Sequence, residues 1–356
     1  MTQKLLIINP GSTSTKVALF ENQTQVIKKS IAHDPTTLKQ FKRMIDQYDF
    51  RKQAILDFIR EAGYDVKQLT AVVGRGGLLK PLASGTYRVN ETMISDLRNA
   101  IRGEHASNLG ALIADAIAKP LSIPAFIVDP VVVDEMHDLA RYTGMKEIER
   151  VSTFHALNQK AVAKRAAKDL GKPYESLNLI IAHLGGGISV GSHERGKVID
   201  VNNALDGDGP MSPERSGSVP LGPLYKMCFS GQYTLDDIKR KNYGEGGMVA
   251  YLGTNDGMEI MKRIQSGDPL ATKIHEVMCY QISKEIGAAS TVLKGQVDAI
   301  ILTGGFAYNK LTTDLITSRV SFIAPVHIYP GEDEMLALAE GALRVLNQQE
   351  EVKVYA

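Results

Sequence analysis

The residues best able to do chemistry in this 356-residue chain sit in short glycine-containing runs. The first is Asn9-Pro10-Gly11-Ser12-Thr13-Ser14-Thr15-Lys16. Hydroxyls, a glycine and one lysine at a strand end offer donors to a phosphate. The run is not a P-loop, which needs a second glycine directly before the lysine and Ser or Thr directly after it. Here Thr15 precedes Lys16 and Val17 follows it. Arg75 lies between Gly74 and Gly76-Gly77, and Arg215 lies in the loop Asp206–Gly217. An arginine fork matches carboxylate or phosphate geometry, and neighbouring glycines let a ligand approach the backbone. An isolated loop arginine is more often a solvated charge.

His155 follows Ser152-Thr153-Phe154 at a predicted helix start, and His183 ends a predicted strand. Either could donate to developing negative charge. No HExxH or HxxxH run occurs, which disfavours zinc catalysis. Asp129 ends a strand just before Pro130, where ligands of open α/β sheets bind. Asp206, Asp208, Asp256, Asp333 and Glu334 add carboxylates in glycine-rich loops. Mg²⁺ is commonly held by one or two carboxylates plus phosphates, so such a scattered set suits a nucleotide enzyme. The run Thr303-Gly304-Gly305 to Asn309 follows a strand and lets the chain pass close to a flat ligand such as adenine. It lacks the GxGxxG of dinucleotide sites.

The elements that must position these residues alternate between strand and helix. Short apolar runs predict strands at Leu5–Ile8, Lys16–Phe20, Ala71–Val73, Ala125–Val128, Leu179–Ala182, Ile188–Gly191, Asp298–Leu302 and Val326–Ile328. Helical periodicity covers Leu38–Ala62, Met93–Ala118, Ala156–Leu170, Leu270–Leu293 and Glu334–Leu346. Lys4–Phe20 and Leu179–Gly191 share one design: strand, glycine turn, strand. That repetition suggests a duplicated α/β unit with a ligand cleft between the copies. The predicted division is 1–150 and 151–334, with 335–356 returning to the N-terminal domain.

Composition narrows the function classes. Lys and Arg total 41 against 40 Asp and Glu, a net charge of +1, so no large basic surface for nucleic acid is expected. Aromatics make up 6% with no Trp, which disfavours stacking platforms for single strands. No apolar stretch approaches the roughly 20 residues that span a bilayer, and Met1–Ile8 lacks a signal-peptide core. Cys228 and Cys279 read as buried thiols in a reducing compartment. The expectation is a cytoplasmic protein without nucleic-acid or membrane partners.

Taken together, eight runs in order resemble the acetate and butyrate kinase family, within the sugar-kinase, Hsp70 and actin superfamily. They are Asn9–Lys16, Gly74-Arg75-Gly76-Gly77, Val128-Asp129-Pro130, Phe154-His155, His183–Gly187, Glu214–Gly217, Thr303-Gly304-Gly305 and Gly331–Glu334. The resemblance implies an α/β fold of two duplicated ribonuclease H-like domains around a central cleft. It implies a homodimer or higher homo-oligomer and reversible, in-line phosphoryl transfer between ATP and a short-chain carboxylic acid, giving ADP and the acyl phosphate. By that analogy Asn9 and Glu334 hold Mg²⁺, and Ser12, Ser14 and Lys16 approach the phosphates. Arg75 and Arg215 clamp the carboxylate and the transferring group, His155 stabilises transition-state charge, and Asp129 orients the site. His183 with Gly185, Gly186 and Gly187 lies beside the phosphates. Gly304, Gly305, Asn309 and Asp256 lie near adenosine.

Departures from the family bear on the acid. Acetate kinases carry Val-Val after the arginine matched to Arg75, where this chain has Gly76-Gly77. They continue the matched histidine with Gly-Thr-Ser-His, where this chain has Ala156-Leu157-Asn158. Missing side chains beside Arg75 leave volume, so Gly76, Gly77 and Phe154 are expected to line a pocket for butyrate or a branched acid such as isobutyrate. The alternatives are an acetate or propionate kinase, or a superfamily kinase acting on a sugar hydroxyl.

Overall fold

The computed structural model describes residues 2–356 and divides them into two compact units. The first comprises residues 2–133 and Asp333–Ala356, the second Asp134–Glu332. Each is an α/β unit built on one mixed sheet.

In the first unit, β1 (Lys4–Pro10) and β2 (Ser14–Glu21) form a hairpin, and β3 (Thr24–Ala32) extends it. β4 (Ala71–Gly74), β5 (Thr86–Arg88) and β6 (Ala125–Val128) complete the body of the sheet. In the second unit the strands are β7 (Asn178–Leu184), β8 (Ile188–Glu194), β9 (Lys197–Val201), β10 (Ala299–Gly304) and β11 (Val326–Pro330). β12 (Lys353–Val354) returns to the edge of the first sheet beside β5.

The strand orders are β12-β5-β6-β4-β1-β2-β3 and β11-β10-β7-β8-β9. The segment β6-β4-β1-β2-β3 repeats as β11-β10-β7-β8-β9, with the same parallel and antiparallel pairings. Even the register shift in the outer antiparallel pair recurs, at Leu19/Phe20 and at Ser192/His193. The duplication read from two glycine hairpins is therefore a duplication of five strands.

The inner strands are continuous apolar runs because helices cover both faces. Leu5–Ile8 and Leu179–Ala182 are fully buried. β3 differs: none of its nine residues is buried, and Lys28 and Lys29 project from it, which suits a charged sheet edge. Two predicted helices break. Leu38–Ala62 resolves into Pro35–Leu38, a 3₁₀ turn at Met44–Gln47 and a helix at Tyr48–Glu61. Met93–Ala118 resolves into Glu91–Arg98 and Asn108–Ala118, with Gly103 between them at φ +113°. Of the two thiols, only Cys279 is buried; Cys228 is exposed, at the end of a helix with no buried residue. Among the described residues no helix is long and apolar enough to cross a membrane.

Candidate functional site

The first unit gathers its chemistry at the ends of β1, β4 and β6. Asn9 is the last residue but one of β1, and Arg75 follows β4 directly, its amide donating to the Ile8 carbonyl at 2.8 Å. Backbone contact fixes that approach. A Cβ on Gly74 would sit 2.3 Å from the Gly110 carbonyl oxygen, and one on Gly110 2.3 Å from that of Arg75. Only glycines let the helix Asn108–Ala118 press so closely on the strand end. Glu334 opens the last helix, whose N-cap is Asp333. Its carboxylate accepts from Asn9 Nδ2 at 2.7 Å and pairs with Arg75. Burial works to raise the Glu334 pKa, but Arg75, Asn9 and Lys16 outweigh it and hold the carboxyl below its usual range.

Asp129 is buried, and its backbone sits at φ +37° directly before Pro130. Such a conformation costs of order 1–3 kcal/mol and persists only when neighbours over-determine it. Here a reciprocal pair does so: Gly85 N donates to Asp129 Oδ1 at 2.6 Å, and Asp129 N to the Gly85 carbonyl at 3.1 Å.

The Asn9–Lys16 loop leaves Ser12 and Lys16 exposed and Ser14 half-buried. Behind it stands Arg51, fully buried on the helix Tyr48–Glu61. Its guanidinium donates to the carbonyls of Gly11 (2.8 Å), Ser12 (3.0 Å) and Ser14 (3.2 Å), to Thr15 Oγ1 (3.1 Å) and to Gln47 Oε1. With the loop carbonyls turned inward to Arg51, a fixed positive charge backs the loop. Burial lowers the Arg51 pKa to about 10, so the group stays charged at neutral pH. Nothing in the sequence distinguished Arg51 from the other cations.

The second unit concentrates its residues at the β7–β8 turn. His183 is the last residue but one of β7, and His155 stands at the N-cap of the helix Ala156–Asp169. Their rings stack face to face, with centroids 3.7 Å apart and planes 9° from parallel. Phe154, just before, is buried. Arg215 reaches the same turn: a Cβ on Gly187 would lie 2.9 Å from its Nη1. Its guanidinium lies over the Tyr243 ring at 4.6 Å and pairs with Glu214 at 3.1 Å. Ser212 Oγ ties this loop to the turn, donating to the Gly186 carbonyl at 2.6 Å and accepting from Arg215 N at 3.1 Å.

Beside the turn a pocket of about 600 Å³ brings together Gly185, Gly186, Asp256, Gly305 and Asn309. All five were singled out from the sequence. Asp256 and Asn309 act there as helix caps, accepting from Met258 N at 2.8 Å and from Thr312 N at 3.1 Å. Gly304 stands at φ +91°, where a Cβ would meet the Leu184 backbone at 2.6 Å. Phe306, Tyr308, Met258, Met261, Lys262 and Glu332 also line the pocket, and sequence reasoning missed them. Glu332 was within reach, lying in the Gly331–Glu334 run.

A model of the acetokinase family matches residues 139–327. Butyrate kinase 2 of Clostridium acetobutylicum is 57% identical over 355 residues, covering all of both chains. The chain belongs to the acetokinase family. It is a phosphotransferase whose acceptor is a carboxyl group, and it uses ATP and ADP. Solved structures agree on the fold. The acetate kinase of Porphyromonas gingivalis matches with TM-score 0.81 at 21% identity, over 97% of this chain and 100% of that one. A propionate kinase from Francisella tularensis matches with TM-score 0.75 at 19% identity, over 95% and 98%.

Two expectations meet the geometry of this family member differently. The donors for Mg²⁺ fit: Glu334 is held ionised and touches Asn9. Among the described residues no group of three or more His, Cys, Asp or Glu converges. A metal here would draw its other ligands from phosphate and water. The volume beside Arg75 is a correction. Gly76 and Gly77 are buried, and a Cβ on Gly76 would lie 2.5 Å from Pro130 Cβ. One on Gly77 would lie 2.4 Å from Asn108 Oδ1 and 2.6 Å from Asn108 Cα. The space that the missing side chains vacate is filled by packing, so these glycines do not enlarge an acyl pocket.

Proposed function

We propose that the acid is butyrate or a branched four-carbon acid such as isobutyrate, phosphorylated reversibly by direct in-line transfer. The observation that carries this reading is the end-to-end 57% identity to a butyrate kinase. The acceptor carboxylate is ionised at neutral pH, well above a pKa of about 4, so no general base is needed. Catalysis then rests on positioning and on meeting anionic charge.

The residues divide that work. Arg75 and Arg215 clamp the carboxylate and the transferring group, and Asp129 is the orienting carboxylate. Ser12, Ser14 and Lys16 approach the phosphates from a loop backed by Arg51. His155 and His183 donate to phosphoryl oxygens beside Gly185, Gly186 and Gly187. The pocket lined by Asp256, Gly305 and Asn309, with Gly304 at its edge, takes adenosine, with Phe306 and Tyr308 offering flat faces. Asn9 and Glu334 hold Mg²⁺, which when bound neutralises phosphate charge. Phe154, the residue before His155, lines the acyl end.

A hydroxamate assay with ATP, Mg²⁺ and C2–C6 acids tests this. Two extra methylenes in an apolar pocket favour butyrate over acetate by about 15-fold in kcat/KM. Acetate or propionate turning over as well as butyrate would overturn the substrate assignment.

A further inference from the structure

Two hydrogen-bond chains, partly buried, end on the stacked histidines, and each starts at a backbone carbonyl, which can only accept. In the first chain Gln159 Nε2 donates to the Ser189 carbonyl at 3.1 Å. That fixes the amide's orientation, so Oε1 faces His193 Nε2 at 2.9 Å and this ring nitrogen carries the proton. His193 Nδ1 then accepts from the Tyr174 hydroxyl at 2.7 Å. Burial, with Lys160 nearby, holds His193 well below its usual range, in keeping with an uncharged ring. Gln159 Nε2 also donates to Ser189 Oγ at 2.9 Å. Ser189 is fully buried, and its hydroxyl proton needs an acceptor. The acceptor in reach is His155 Nδ1 at 2.9 Å. The His155 proton therefore sits on Nε2.

The second chain starts at the Gly331 carbonyl, which accepts from Thr303 Oγ1 at 3.1 Å. With its proton committed, that hydroxyl accepts from Asn158 Nδ2 at 3.2 Å. The amide's other hydrogen goes to His183 Nδ1 at 2.8 Å. The His183 proton is therefore also on Nε2. That nitrogen is buried and lies 3.0 Å from Glu332 Oε1, outside hydrogen-bond alignment. A Cβ on Gly185 would come within 2.8 Å of it. Glycine there adds no side chain against the buried N–H.

We propose that Asn158, Thr303, Gln159 and Ser189 are positioning residues that lock His155 and His183 as Nε2–H tautomers, so that the stacked pair presents two ring donors to phosphoryl oxygens. The proposal rests on the reading that these histidines meet the phosphates. It explains how two imidazoles can lie face to face at 3.7 Å. Two uncharged rings stack without the repulsion that two imidazoliums would suffer. It also gives a purpose to the segment where this chain departs from the family's Gly-Thr-Ser-His. Asn158 and Gln159, third and fourth after His155, are the residues that orient the two rings.

The test is long-range ¹H–¹⁵N spectroscopy of the ¹⁵N-histidine-labelled full chain at pH 7.5. Both rings are expected to show a protonated Nε2 and an accepting Nδ1. A proton on Nδ1 of either ring, or double protonation, overturns the proposal. Asn158→Asp replaces a donor with an acceptor. It is expected to move the His183 proton onto Nδ1 and to lower kcat by about 10- to 100-fold, while KM for ATP changes little. Ser189→Ala is nearly isosteric and removes the donor to His155, giving a tautomer mixture and a smaller loss of kcat. A flipped His183 with unchanged kcat, or lost activity with the tautomers intact, overturns the assigned role. The spectra need no turnover. A failed acid panel therefore leaves the tautomer result standing, and wrong tautomers leave the substrate assignment untouched.

Discussion

The first hairpin loop and the second stand at equivalent corners of a duplicated sheet, yet they are held in opposite ways. Gly11–Thr15 is braced from behind by the buried Arg51 guanidinium, which spends its donors on loop carbonyls. Gly185–Gly187 has no such brace. It is kept thin, with Arg215, His183 and Glu332 pressed against it. One copy of the fold thus puts fixed charge behind the loop. The other lets charge come up beside a bare backbone. Duplication supplies two equivalent strand ends, and the chemistry of each comes from what packs on the turn.

The two arginines sharpen this contrast most. Arg75→Ala and Arg215→Ala should each lower kcat about 10³-fold, with ATP binding retained, because the proposed clamp acts mainly on transition-state charge. They should differ in stability. Arg75 neutralises Glu334, which is largely buried, so its loss strands a charge. Arg215 loses only a contact with Glu214 and the Tyr243 face. A urea midpoint that drops for Arg75→Ala and holds for Arg215→Ala supports the contrast; equal midpoints break it.

Arg51→Met probes the brace alone. It removes the donor that three loop carbonyls, Thr15 and Gln47 share, so a loss of about 3–5 kcal/mol in denaturant unfolding is expected. Arg51→Lys should recover only part, since an ammonium cannot fork to four loop acceptors. Full stability in Arg51→Met would mean that the loop holds itself.

How much of this was legible in the sequence depended on burial. β1, β6, β7 and the last helix announce themselves because their apolar runs are buried; Glu334–Leu346 matches to the residue. β3 does not, since no residue in it is fully buried and only Ile27 and Ile31 turn partly toward the core. The helix Leu221–Cys228 has no buried face either. In the site, runs with distinctive turn chemistry were readable, and five residues from three separate stretches of the chain line one pocket. Arg51 was not readable, because a buried arginine bonded to carbonyls leaves no local pattern. Gly76 and Gly77 were read as absence of bulk, whereas tertiary packing had already used the space.

That correction carries its own prediction. Gly77→Val places side-chain atoms against the Asn108 backbone, at the start of the helix that abuts Arg75. Overpacking of this kind costs about 1–3 kcal/mol. Activity should fall alike on acetate and butyrate, read as parallel losses of kcat/KM across the acid panel. A selective loss on butyrate would restore the pocket reading.

The gentlest comparison is between two buried histidines, one in each unit. His33 bonds to Thr15 Oγ1 and His275 to Thr312 Oγ1, each at 2.8 Å. Burial brings both down to about 4 from the usual 6.5. Their neighbours differ in sign: Arg51 pushes His33 lower, while Glu276 pulls His275 up. Between pH 6.5 and about 4 the unfolded chain binds protons that these folded rings refuse. Stability is therefore fully present above 6.5, falls as pH drops through that window and levels off below it. Each histidine contributes a slope of at most about 1.4 kcal/mol per pH unit. His33→Gln and His275→Gln should each flatten the acid limb of the urea midpoint. Arg51→Met should flatten it in part through His33, by removing the charge that opposes its protonation, and should leave the His275 contribution intact. An acid limb unchanged in His33→Gln would show that the ring behind the first loop already takes up its proton in the folded state.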